Sequence, residues 1–87
     1  MLGKMTITPG QCRAARGLVG MDQASLAAEA KVSRNTIVSF ESGKRAPGAN
    51  NLEAIERALE KAGVDFIDGD QPGVRVKASS WTKPAPD

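Results

Sequence analysis

Three polar side chains that lie close together in the sequence can hydrogen-bond to the edges of DNA bases. They belong to Arg34, Asn35 and Ser39. An arginine can donate to both major-groove acceptors of guanine, an asparagine can pair with adenine through two hydrogen bonds, and a serine is versatile. The methyl groups of the neighbouring Thr36 and Val38 suit the methyl group of thymine. The segment is therefore a candidate for reading DNA sequence. Its alternative is an ordinary solvated helix face.

Basic residues lie where they could reach phosphate groups beside this segment. Lys44 and Arg45 follow it directly, in a loop that Pro47 and Gly48 keep out of helix. The first 50 residues carry seven Lys or Arg against three acidic residues, whereas the rest of the chain carries five against seven. A basic half suits a polyanion, because each phosphate contact releases a condensed counterion. The alternative is a randomly charged surface.

The helices that must position these side chains are marked by two start signals, Asp22 and Ser33. One helix is predicted over about 23–30 and the next over about 34–42, with only Lys31 and Val32 between the first helix and the second cap. Two short helices joined so tightly must cross at a steep angle, which is the helix-turn-helix arrangement. In that arrangement the second helix enters the major groove of DNA. The residues expected to face inward are Leu26, Ala27, Ala30, Ile37 and Phe40.

Further elements are predicted on both sides. A first helix begins at the cap Thr8, with Pro9 at its first position and Gln11 at the capping-box position, and ends at Gly20. A fourth helix is predicted over about 51–62, with a capping box of Asn50 and Glu53 and a stop at Gly63.

The pattern changes after the fourth helix. Val64 alternates with Phe66, and Val74 with Val76, around a segment rich in turn residues. This alternation predicts a β-hairpin or two short strands. Residues 78–87, with two serines and two prolines, are predicted to be a flexible tail.

Residues with catalytic or metal-binding chemistry are few. The chain has no His, and its single Cys12 lies on the apolar stripe of the first helix, which favours a buried, inert thiol. The carboxylates Glu53, Glu56 and Glu60 have basic residues nearby and are explained by a solvated, ion-paired face. We therefore expect no enzyme activity, no metal and no cofactor. The lack of a long apolar run or export signal predicts a cytoplasmic protein with no membrane segment.

Together these segments resemble the lambda-repressor-like, Cro/C1-type (XRE) helix-turn-helix family from about Thr8 to Gly63. The residues that carry the resemblance are Gly20–Gln23, Leu26–Ala27, Val32–Ile37, Glu41–Pro47 and Leu52–Ile55. The resemblance implies a mainly α fold, a compact bundle of four to five helices. It also implies a dimer on an operator with two half-sites. The short C-terminal β-hairpin or strands predicted here depart from the family, which often continues in helix at that point.

The resemblance also implies roles for individual residues. The residues expected at base edges are Arg34, Asn35, Thr36, Val38 and Ser39, and those expected at the DNA backbone are Gln23, Ser42, Lys44 and Arg45. Arg16 and Glu41 are expected to form a structural ion pair. Lys31 departs from the family, which usually has Gly there. Either Lys31 adopts the left-handed conformation, at a cost of about 1 kcal/mol, or the turn differs.

The sequence as a whole predicts a sequence-specific transcriptional regulator, a repressor that binds double-stranded DNA as a homodimer. One alternative is an antitoxin of a toxin–antitoxin pair. Another is a protein-interaction module on the same fold, with another regulatory protein as its partner. A pure interaction module would have no need of the polar and basic residues at 34, 35, 44 and 45.

The dimer contact is predicted in the C-terminal part of a domain spanning 1–77. A lone two-stranded hairpin is marginal in water, so the segment from about residue 64 could complete a sheet with a second chain. The residues assigned to this interface are Leu59, Val64, Phe66, Val74 and Val76. The alternative is that the segment only covers the core of its own chain.

Overall fold

The computed structural model of the protein describes residues 7–77, which form four α-helices followed by an antiparallel two-stranded hairpin. The elements are α1 (Pro9–Val19), α2 (Gln23–Ala30), α3 (Arg34–Glu41), α4 (Ala49–Lys61), β1 (Val64–Ile67) and β2 (Gly73–Val76). This architecture confirms the predicted mainly α bundle with a C-terminal β segment. The predicted tail over 78–87 lies outside the described residues.

The first three helices begin where their capping residues predict. At α1, Thr8 and Gln11 form a reciprocal capping box, in which each side chain accepts a hydrogen bond from the other residue's backbone N–H. Asp22 caps α2 by accepting from the backbone N–H of Ser25 at 2.7 Å. Ser33 caps α3 in the same way. Each cap satisfies a helix-terminal N–H that would otherwise need water.

The start of α4 differs from the prediction. Its N-cap is Gly48, which makes no side-chain hydrogen bond, so Asn50 lies inside the first turn and the predicted capping box with Glu53 is wrong. The carboxylate of Glu53 instead lies 3.4 Å from the guanidinium of Arg57, one turn further on. The predicted solvated face of this helix is also wrong at Glu56, whose exposure is only 5%.

The turn between α2 and α3 keeps a tight geometry despite its lysine. Lys31 adopts the left-handed conformation at φ 59°, the first of the two alternatives that the sequence left open. The backbone N–H groups of Lys31 and Val32 donate back to carbonyls of the last turn of α2, at 3.2 Å and 3.0 Å. These bonds satisfy carbonyls that the helix end leaves free. The turn thereby fixes the position at which α3 begins.

The apolar core lies between the helices and extends under the hairpin. Contacts between α2 and α3 and between α2 and α4 hold the helices together, and α1 and α4 both pack on the hairpin. The fully buried large side chains are Leu26, Ile37, Ile55, Leu59, Val64 and Cys12. No helix among residues 7–77 is both long enough and apolar enough to cross a membrane.

The hairpin pairs β1 with β2 within one chain, with Val64 opposite Val76 and Phe66 opposite Val74. These four side chains share one face of the sheet, because alternate residues point to opposite faces. Of the four, Val64 is fully buried, and Phe66 and Val74 are partly buried against the core. The hairpin therefore covers the core of its own chain.

A buried glutamine attaches the hairpin to α1. The Gln11 side-chain nitrogen donates to the carbonyls of Ile67 and Gly73, at 3.1 Å and 2.9 Å. Its side-chain oxygen already accepts from the backbone N–H of Thr8 at 2.9 Å. Gln11 is only 6% exposed, and these bonds satisfy its buried amide. One side chain thus caps α1 and holds the turn end of the hairpin.

Candidate nucleic-acid interface

The N-terminal half of α3 presents the predicted base-reading residues on one side of the molecule. Arg34 and Asn35 are exposed, and Thr36, Val38 and Ser39 are partly exposed. The opposite face is anchored, because Ile37 is fully buried and Phe40 is 4% exposed. The Thr36 hydroxyl lies 2.8 Å from the Ser33 hydroxyl in the cap. Because its hydroxyl is engaged there, the methyl group is the part of Thr36 best suited to a base.

One groove beside α3 combines these residues with the following loop. It is lined by Asn35, Thr36 and Ser39 from α3, by the loop residues Lys44 and Arg45, and by several neighbours as far as Asn51 in α4. The lining brings amide and hydroxyl groups together with two cations. Such a groove can contact a base edge and a phosphate at the same time.

The loop holds its shape through one carbonyl at the end of α3. The Ser39 carbonyl accepts from the backbone N–H groups of Lys44 and Arg45 at 3.0 Å and 3.3 Å, and from the Ser42 hydroxyl at 3.1 Å. Gly43 supports the reversal with φ 79°. The only proton of the Ser42 hydroxyl is used in this network, so the phosphate contact predicted for Ser42 requires that hydroxyl to leave Ser39.

A second groove lies at the N-terminal end of α2. It is lined by Arg16, Asp22, Gln23, Ala24 and Arg34. The pKa of the Asp22 carboxyl is lowered, mainly by the hydrogen bond from the backbone N–H of Ser25 and then by the one from the Ser25 side chain. The groove also brings two guanidinium groups and a side-chain amide together near a helix N-terminus. Backbone N–H groups and the helix dipole favour anions at such a terminus.

Beneath the second groove, a buried carboxylate joins three helices. Glu41, the last residue of α3, accepts from Arg16 at both oxygens, at 2.6 Å and 2.7 Å. It also accepts from the Cys12 thiol at 3.0 Å and from the Gln23 side-chain nitrogen at 3.1 Å. Its backbone carbonyl accepts from Arg13 of α1. We refer to Cys12, Arg13, Arg16, Gln23 and Glu41 as the Glu41 cluster.

The protonation states in the Glu41 cluster follow from these contacts. Burial raises the pKa of Glu41, but the hydrogen bonds from Arg16, Cys12 and Gln23 and the charge of Arg16 outweigh it, so the pKa falls below its ordinary value. Burial, with the adjacent carboxylate, raises the pKa of the Cys12 thiol. The cluster therefore holds a charged pair and a neutral thiol.

A family model described as helix-turn-helix matches residues 13–66, which include α2, the turn, α3 and α4. The chain belongs to the Cro/C1-type helix-turn-helix family. Members of this family bind DNA. In a helix-turn-helix motif the first helix crosses the DNA backbone and the second is the recognition helix. The positions of these two helices are those of α2 and α3. A comparison with curated proteins gave no match.

In this helix-turn-helix protein, some residues in and beneath the candidate interface were not predictable from the sequence. Asn51 lines the groove beside α3, although it belongs to α4 and is separated from α3 by the loop. Cys12 and Arg13 hold the end of α3 from α1, about 30 residues away in the chain. No local spacing signal marks such contacts.

Among the described residues, no group of three or more His, Cys, Asp or Glu could hold a metal ion.

The residues predicted at the dimer contact fall into two groups. Leu59 and Val64 are fully buried in the chain's own core, so their side chains have no surface to offer a second chain. Phe66, Val74 and Val76 are partly exposed. The opposite face of the hairpin carries Ile67, whose exposure of 38% makes it the large apolar side chain most open to solvent among residues 7–77.

Proposed function

We propose that this helix-turn-helix protein is a sequence-specific transcriptional regulator, a repressor that acts as a dimer on an operator with two half-sites. The observation that carries the proposal is the polar N-terminal end of α3, which lies between two grooves lined by arginine and lysine. A recognition helix needs this arrangement, because base edges give specificity only when flanking phosphate contacts fix the helix in register.

Base reading is assigned to the exposed end of α3. Arg34 and Asn35 extend from its first turn without a side-chain hydrogen bond to the rest of the described chain that would compete with a base. Ser39, one turn further, contributes its hydroxyl. Thr36 and Val38 contribute methyl groups to thymine contacts.

Phosphate binding is assigned to the two sides of that helix. Lys44 and Arg45 lie in the loop after α3, and both are exposed. Gln23 lies on the other side, in the groove with Arg16 and Arg34. Ser42 is a weaker member of this set because its hydroxyl donates to Ser39.

Dimerisation is assigned to the hairpin. Phe66, Val74 and Val76 combine partial exposure with apolar side chains, and a two-stranded sheet has open edges on which a second chain could pair. Leu59 and Val64 would support such a contact from beneath, as core residues. Two subunits related by a two-fold axis would place their recognition helices about 34 Å apart, one turn of DNA.

The proposal is tested by titrating a fluorescein-labelled duplex with the protein and following anisotropy as salt increases. We expect binding at low salt that weakens linearly in a plot of log affinity against log salt concentration, as phosphate contacts require. The absence of binding to double-stranded DNA at low salt would contradict the proposed function.

A further inference from the structure

We propose that Glu41 is a positioning residue for DNA binding, which orients the Gln23 amide so that one of its N–H groups faces a DNA phosphate. This inference rests on the proposed function, and in particular on the phosphate contact assigned to Gln23. It gives the buried carboxylate a second task, beyond the ion pair with Arg16.

The first step is the hydrogen bond between the two side chains. The Gln23 nitrogen Nε2 lies 3.1 Å from Oε1 of Glu41. A carboxylate only accepts hydrogen bonds, so this contact decides which end of the amide faces Glu41. The nitrogen uses one of its two hydrogens there. The other hydrogen remains for a ligand, on a side chain that lines the groove with Arg16 and Arg34.

The second step is that Glu41 itself is held in place. Its side chain is 3% exposed and accepts from Arg16 at both oxygens and from Cys12 at Oε2. A carboxylate fixed in this way gives Gln23 a rigid acceptor, whereas water would let the amide rotate. A phosphate donor that is already oriented loses less side-chain entropy when DNA binds.

The third step separates positioning from plain stabilisation. The Arg16–Glu41 pair joins α1 to α3 and does not need Gln23, which belongs to α2. If Glu41 acted only through the stability of the fold, its effect on DNA affinity would not depend on the residue at position 23. If it acts through the amide, its effect requires Gln23.

A double-mutant cycle with Gln23→Met and Glu41→Gln tests this directly. Methionine has nearly the shape of glutamine but cannot donate to either partner. Affinity for a labelled duplex of about 20 base pairs, two turns of DNA, is measured below the unfolding transition of every variant. We expect each single change to weaken binding about tenfold, as for loss of a hydrogen bond to a charged group. In the Gln23→Met background, Glu41→Gln should weaken binding little further.

Ile55→Val is the matched control, because it removes one methylene from the buried core in α4 and leaves every hydrogen bond of Glu41 and Gln23 in place. It should lower the melting temperature and leave DNA affinity unchanged. If Glu41→Gln does not fold, Glu41→Asp replaces it in the cycle. Aspartate keeps the charge but is one methylene shorter, so it withdraws the acceptor from Gln23.

The outcomes distinguish the inference from the proposal beneath it. An equal loss of affinity from the Glu41 change in both backgrounds, with Gln23→Met itself weakening binding, would overturn the positioning role and leave the phosphate contact intact. No effect of Gln23→Met would remove the phosphate contact and the positioning role together. If wild-type protein did not bind the duplex, the proposed function itself would fail.

Discussion

The guanidinium of Arg16 donates hydrogen bonds to both carboxylate oxygens of Glu41, with Nε 2.7 Å from Oε2 and Nη2 2.6 Å from Oε1. The Glu41 side chain is 3% exposed and that of Arg16 is 19% exposed, so water screens the pair poorly. The contact joins α1 to the last residue of α3. The position of α3 therefore depends on a charge pair with α1, in addition to the apolar contacts of Ile37 and Phe40.

Removing one partner of this pair should destabilise the fold more than removing both. Arg16→Met leaves the buried Glu41 carboxylate without its counter-charge, which we expect to cost about 3 kcal/mol. The double change Arg16→Met with Glu41→Leu leaves no unpaired charge, so its melting temperature should lie closer to that of wild type. Thermal unfolding followed by circular dichroism measures both. A single variant as stable as wild type would show that the pair contributes nothing.

The same pair predicts a loss of stability in acid. The pKa of Glu41 is lower in the folded chain than its ordinary value of 4.5. Its contribution to stability is therefore complete above pH 4.5 and is lost as pH falls through the lowered pKa of the folded state. The exposed Asp22 acts in the same direction. Denaturant unfolding between pH 7 and pH 3 should show a smaller decline in the Arg16→Met, Glu41→Leu double variant, which retains Asp22. Equal declines would exclude Glu41 as the source.

Variants of two exposed cations, Arg34 and Lys44, should distinguish base reading from phosphate binding. Arg34→Ala should weaken binding to a preferred site by about 1–3 kcal/mol and relax the preference at one base pair. Lys44→Ala should weaken binding to all sequences alike and reduce the slope of log affinity against log salt by about one unit. Competition titrations with single-base variants of the site distinguish the two effects. An unchanged base preference in Arg34→Ala would refute its assignment to a base.

The dimer should depend on partly exposed valines of the hairpin. Changing Val74 and Val76 to threonine keeps β-branched residues in β2 but removes apolar contact area. We expect the double variant to dissociate at concentrations where wild type is dimeric, as measured by sedimentation equilibrium. Val19→Thr, the same change at a partly buried valine in α1, is the control and should remain dimeric. A double variant that stays dimeric would place the interface elsewhere.

Local signals in the sequence predict most of the fold. Thr8, Asp22 and Ser33 cap helices through hydrogen bonds that span three residues, so the sequence alone marks those starts. The start of α4 was not predicted correctly, because its N-cap, Gly48, has no side chain that could make a capping hydrogen bond. Gln11 was predictable as a capping-box residue, but its bonds to β1 and β2 were not.

Less of the candidate site was predictable, because its support is long-range. The residues of the recognition helix follow from helical spacing and from resemblance to the family. The hydrogen bonds from Cys12 and Gln23 to Glu41 span 29 and 18 residues and depend on how three helices pack. No periodicity encodes such contacts, and they become visible only in the folded chain.

The central claim, that α3 reads DNA sequence as part of a dimer, is tested most directly by selecting bound duplexes from a random oligonucleotide pool. Wild-type protein should enrich a motif of two related half-sites whose centres lie about 10 base pairs apart, one helical turn. The same selection with Arg34→Ala should lose the preference at one position of each half-site. Recovery of duplexes without a shared motif, at salt concentrations where the protein still binds, would contradict sequence-specific recognition by this helix.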